Sequence, residues 1–81
     1  MTIEVLAVDI ASGKRGSLIS CPIARALKRG FNVDRVEVYT DFAFIAGYYL
    51  VLPRVVVDFI RDYDRALLVR TIKFNVEELP C

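Results

Sequence analysis

The residues best suited to chemistry lie together in Gly13-Lys14-Arg15-Gly16-Ser17, with Ser20 and Cys21 just beyond. Glycines let backbone N–H groups approach a ligand, and a helix starting at Ser20 adds unpaired donors and partial positive charge. Lys14 would contribute a point charge and Arg15 a forked guanidinium. That chemistry is capture of a phosphate or another anion, so Gly13, Lys14, Arg15, Gly16, Ser17, Ser20 and Cys21 form the expected ligand-binding site. The Gly-x4-Gly-Lys-Ser/Thr spacing of nucleoside-triphosphate loops is absent. The plainer alternative is a solvated loop ending in an ordinary serine cap.

Catalysis finds little support. The chain has no histidine. Cys21 at a helix start could hold a stabilised thiolate, but no base is at hand, and a small buried cysteine is the simpler reading. Asp58, Asp62 and Asp64 are interleaved with Arg54, Arg61 and Arg65, which describes a solvated charge network rather than a pair of working acids. No spacing suits a metal, no cofactor is expected, and the protein is read as non-enzymatic.

The elements that must position this loop follow from periodicity. Residues 2–10 are β-branched and apolar, with Ile3, Val5, Ala7 and Asp9 on one face, and predict a strand. The segment 11–20 predicts a loop and 21–29 a helix, with Ser20 as N-cap, Pro22 in the first turn and Gly30 as a left-handed stop. Ile23, Ala26 and Leu27 form its apolar stripe, while Arg25, Lys28 and Arg29 are expected to face outward. Alternation predicts strands over 33–39, 42–45 and 48–52, the last two turning at Ala46-Gly47. Pro53 opens a second helix whose stripe is Val55, Val56, Phe59, Ile60 and Tyr63, and residues 69–76 close the chain as a strand. The expected fold is therefore α+β: one small domain over 1–81, order β-α-β-β-β-α-β, with two helices on one face of a mainly antiparallel sheet.

Composition bounds the partners. The 81 residues are 56% hydrophobic and carry a net charge of +1, which speaks against disorder and against a strongly basic nucleic-acid binder. The uncharged apolar run from Phe42 to Leu52 falls well short of the ~20 residues a membrane helix needs, so no membrane association is expected. The start lacks a basic n-region, and the cytoplasm is the expected compartment. Mean hydropathy is +0.44, more apolar surface than one small core absorbs, so a homo-oligomer is expected, a dimer first. The aromatic hairpin at Phe42–Leu52 is its natural contact. Cys21 and Cys81 do not make a disulfide framework, and sequence leaves open whether they are ever bridged.

The stretch Ile10-Ala-Ser-Gly13-Lys-Arg-Gly16-Ser-Leu-Ile-Ser20-Cys21-Pro22-Ile23-Ala24-Arg25-Ala26-Leu27 resembles a family of small, uncharacterised phage and bacterial proteins. In these a glycine-containing loop precedes Cys-Pro-Val/Ile-Ala-x-Ala-Leu. The resemblance continues through Leu52-Pro53, Phe59-Ile60-Arg61-Asp62-Tyr63-Asp64 and Phe74. A His-Ile pair commonly precedes the loop in that family, where this chain has Asp9-Ile10. The resemblance implies a phage or mobile-element setting, in which small non-enzymatic proteins antagonise host defence, some by sequestering nucleotide signals. Two functions are therefore expected. The first is capture of a phosphorylated, nucleotide-like small molecule by the loop. The alternative is an interaction or inhibitor module that docks a protein through its apolar sheet face or edge.

Overall fold

The computed structural model describes residues 1–77. In chain order the elements are β1 (Thr2–Val5), α1 (Ala7–Ser12), α2 (Pro22–Phe31), β2 (Val36–Val38), β3 (Phe42–Ile45), β4 (Tyr48–Val51), α3 (Arg54–Asp64) and β5 (Ile72–Asn75). The α+β class and the expected order hold, with one short helix added. All strand pairs are antiparallel: β1 with β5, and β2-β3-β4 as a separate three-stranded sheet. Helix α2 packs against both β1 and β2 and so joins the two sheets. Ile23, Ala24, Ala26 and Leu27 on its inner face are buried with Ile3, Val36, Ile45, Val56 and Phe59.

The added helix corrects the reading of residues 2–10 as one strand. The strand stops at Val5, and Asp9 turns back so that its carboxylate accepts from the Leu6 N–H at 2.8 Å. That bond satisfies one of the donors a helix start leaves open. Asp9 is fully buried, and Arg29 grips it with both terminal guanidinium nitrogens. A tertiary ion pair has overridden the β propensity of Val8 and Ile10.

Two expectations for α2 also change. Its N-cap is Cys21, not Ser20: the Cys21 sulfur accepts from the Ala24 N–H at 3.4 Å. The helix then runs through Gly30 and ends at Asn32 in the left-handed conformation, where Val33 N–H reaches Lys28 O at 3.1 Å. Gly30 is there for space, because a Cβ would collide with Ile3 Cδ1. Arg25 and Arg29 do not simply face outward; both turn toward Asp9.

In the three-stranded sheet, Val36, Val38, Ala43 and Ile45 face the core. The opposite face carries Glu37, Phe42, Phe44, Tyr49 and Val51, with Tyr39 just beyond β2. Ala46 and Gly47, both at positive φ, make the tight turn between β3 and β4. No helix among the described residues is long and apolar enough to cross a membrane.

Candidate functional site

The glycine loop is closed at its neck by Lys14 N–H to Ser20 O at 2.9 Å, and inside it Ser20 N–H donates to the Ser17 hydroxyl at 3.0 Å. It is then tied to α3. Arg15 Nε donates to Tyr63 O at 3.0 Å, placing a cation at the negative end of that helix, and its guanidinium lies 5.5 Å from the Tyr63 ring centre. Gly16, at φ +68°, gives its N–H to the Asp64 carboxylate at 3.2 Å. The Tyr63 hydroxyl donates to Gly13 O at 2.8 Å. Gly13 itself admits no side chain, since a Cβ would stand 2.7 Å from Asp9 O and from Pro22 Cδ.

These bonds occupy the groups an anion would need. Gly16 N–H already has a carboxylate, Ser20 N–H has Ser17, and Pro22 has no N–H to offer. Ile23 and Ala24, which follow in the first turn of α2, are fully buried. The expected residues are also divided among three surfaces. Gly16, Ser17 and Cys21 line one cleft, Gly13 and Arg15 border a second depression beside Tyr63, and Ser20 borders a third with Arg25 and Lys28. Lys14 is exposed and borders none of the three.

The first cleft has a volume of 260 Å³. Its lining comes from the loop and the start of α2 (Ser17, Leu18, Cys21), from the sheet side (Val38, Tyr39, Phe42) and from α3 (Ile60, Asp64). Burial pushes the Cys21 thiol up, and the Asp64 charge adds to it beyond what the Ala24 and Ile23 N–H groups offset, so the thiol stays protonated at neutral pH. No group of residues able to hold a metal occurs among the described residues. Cys81, and with it any bridge to Cys21, lies outside them.

From the cleft rim the surface continues as an aromatic layer. Tyr39 and Phe42 stack at 4.7 Å between ring centres, and Phe44 meets Phe42 edge-on at 5.8 Å. Tyr49 completes the layer, 5.4 Å from Phe42 and 5.8 Å from Phe44. Tyr49 is 61% exposed and Val51 66%. Tyr48 and Tyr49 alternate to opposite faces of β4, and both are exposed. Nothing in the sequence signals that Tyr39 and Phe42 border a cleft with Ile60 and Asp64. Those two read as parts of a helical stripe and a charge network, and only the loop's docking on α3 brings them together.

The charge network itself is present. Asp58 meets Arg54 and Arg61, each at 3.2 Å, and Asp62 meets Arg61 at 3.3 Å, all on the exposed side of α3. Asp64 departs from it to hold the loop.

Comparison with protein-family models, with curated proteins and with solved structures finds no match to this chain.

Proposed function

We propose that the protein is a non-catalytic docking module that engages another protein through the outer face of β2-β3-β4. The observation that carries this reading is the continuous layer of Tyr39, Phe42, Phe44 and Tyr49 on the solvent side of the sheet. Aromatic side chains bring large contact area at small entropic cost, and clusters of them beside a pocket are where interface energy concentrates. The adjoining cleft, at 260 Å³, is smaller than the ~300–1,000 Å³ that enclose drug-sized ligands and suits a single anchoring side chain. In the phage setting that the sequence resemblance implies, the partner is a host protein and docking inhibits it.

A phosphorylated ligand is the weaker reading. Asp64 lines the cleft with a carboxylate that would repel a phosphate, and the loop amides at Gly16 and Ser20 are already bonded. Selection from a random peptide display library separates the two. The docking reading expects peptides sharing an apolar anchor, whose binding is lost on Phe44→Ser or Tyr39→Ser and kept on Lys14→Ala. Library selection without a consensus, together with a nucleotide that raises the melting temperature in proportion to its concentration, would replace it by ligand capture.

A further inference from the structure

The three-stranded sheet has two edges, and they are treated differently. The outer edge of β2 is covered, because Val38 N–H donates to Leu18 O at 2.7 Å. Among the described residues the outer edge of β4 is unpaired. Tyr39 N–H donates to Phe42 O at 2.8 Å and Leu52 N–H to Asp41 O at 3.0 Å, so Phe42 and Phe44 direct their backbone groups toward β2. In an antiparallel ladder, bonded and unbonded pairs alternate. The pairs Phe42–Val51 and Phe44–Tyr49 are therefore the unbonded ones, and the N–H and C=O of Tyr49 and Val51 point away from β3.

Natural edges are usually blunted by a charge, a proline or a bulge. Tyr48-Tyr49-Leu50-Val51 has none of these. The other sheet differs, since β1 carries Glu4 and β5 carries Lys73, which meet at 3.7 Å. Asn75, Val76 and Glu77 line a groove of 370 Å³ together with Tyr49, Leu50 and Val51, and β5 pairs with β1 rather than with β4.

We propose that β4 pairs antiparallel with β4 of a second copy of this chain, with Leu50 facing Leu50 of the partner subunit across a two-fold axis. This rests on the reading of the outer face as a docking surface and extends it, since pairing fuses two three-stranded sheets into one six-stranded sheet with a single aromatic face. The proposed docking face is incomplete without the second copy.

The register follows from which groups are free. Joining the two outer faces requires Tyr49 or Val51 to stand opposite an outward-pointing residue of the partner. Tyr49 opposite Val51 of the partner subunit lets each pair exchange both of its hydrogen bonds, and the axis repeats the exchange. Sliding the strands one way puts Val51 opposite Gly47 of the partner subunit, in the turn. Sliding them the other way puts Tyr49 opposite Pro53 of the partner subunit, which has no N–H to give. Only the central register uses every free group. It also brings no like charges together, because the run Phe42–Leu52 is uncharged.

Oxidative cross-linking tests the register directly, in a Cys81→Ser background where buried Cys21 is the remaining native thiol. Leu50 and its symmetry mate form an unbonded pair, whose close approach of ~4.5 Å between Cα atoms suits a disulfide. Leu50→Cys should convert most of the chain to a covalent species of twice 9.2 kDa. Tyr48→Cys should not, because Tyr48 faces Leu52 of the partner subunit. Should Leu50→Cys fail to fold, Tyr49→Cys mixed with Val51→Cys should cross-link while neither does alone. Cross-linking at Tyr48 in place of Leu50, or a monomer by light scattering at every accessible concentration, overturns the proposal. A monomer that still binds selected peptides through Phe44 removes the dimer alone, whereas a cross-linked dimer without peptide binding removes the docking reading of the face.

Discussion

Arg29 holds both oxygens of Asp9, at 2.9 and 2.6 Å, and with a third bond to Glu4 O at 2.8 Å it fastens α1 and β1 to the end of α2. Asp9 is fully buried whereas the Arg29 side chain is 45% exposed, so the two partners are not equivalent. Removing Asp9 leaves an arginine that can turn to water. Removing Arg29 strands a carboxylate inside the protein, with Arg25 Nε, 3.5 Å away, as its remaining cation. Arg29→Met should therefore cost about 3–5 kcal/mol, and Asp9→Asn distinctly less. Urea melts of the two variants decide it, and equal losses would mean that the buried carboxylate is not the costly partner.

The same pair sets an acid limit. Burial alone pushes the Asp9 carboxyl up, but the Arg29 hydrogen bond, the Leu6 N–H and the charges of Arg29 and Arg25 outweigh it and hold the group below its ordinary value. A carboxyl lowered in the folded state contributes fully above its unfolded value of about 4 and loses that contribution as pH falls toward the folded one. The melting temperature should therefore fall more steeply for wild type than for Asp9→Asn between about pH 5 and pH 2. Parallel curves would show that Asp9 is not the group responsible.

Much of this fold was legible because the sequence punctuates it: Pro22 and Pro53 at helix starts, Ala46-Gly47 at the hairpin, and the stripe of Val56, Phe59 and Tyr63, although the expected Val55 is exposed. What stayed hidden depended on distant partners. Ile3, Val5, Ala7 and Asp9 alternate as a strand should, and nothing local says that Arg29, twenty positions on, will draw Asp9 into a helix. Gly30 resembles a stop signal, yet its lack of a side chain answers to Ile3. The glycine loop advertised anion binding through its composition, but its Gly16 amide and its arginine are bound by Asp64 and Tyr63, nearly fifty residues away. Composition shows which groups a loop owns; whether they are free depends on what folds against it.

Arg15 illustrates the consequence. A surface loop residue should tolerate charge reversal, and the sequence alone predicts that Arg15→Glu leaves the fold intact. The structure makes Arg15 a cap on α3 instead. Losing its bond to Tyr63 O and its contact with the Tyr63 ring should cost about 1 kcal/mol in Arg15→Ala. Arg15→Glu should cost more, because a carboxylate opposes the negative end of the helix. Lys14→Ala, one residue away and outside these contacts, is the control. Thermal melts in which Arg15→Glu matches Lys14→Ala would return Arg15 to the solvated loop.

Gly30 and Ile3 offer a prediction whose sign can be reversed. In a helix interior alanine outperforms glycine by about 1 kcal/mol, so Gly30→Ala should stabilise α2 if propensity were all that mattered. Its new Cβ, however, meets Ile3 Cδ1 in a side chain that is 1% exposed and has no room to retreat. Overpacking of this kind costs about 1–3 kcal/mol, enough to outweigh the propensity gain and leave the variant less stable. Ile3→Val removes the obstructing methyl at a cost of its own of about 1 kcal/mol. Introduced into that background, Gly30→Ala should become neutral or stabilising. A double-mutant cycle by denaturant melts measures the coupling. If Gly30→Ala destabilises equally in both backgrounds, the glycine answers to something other than Ile3.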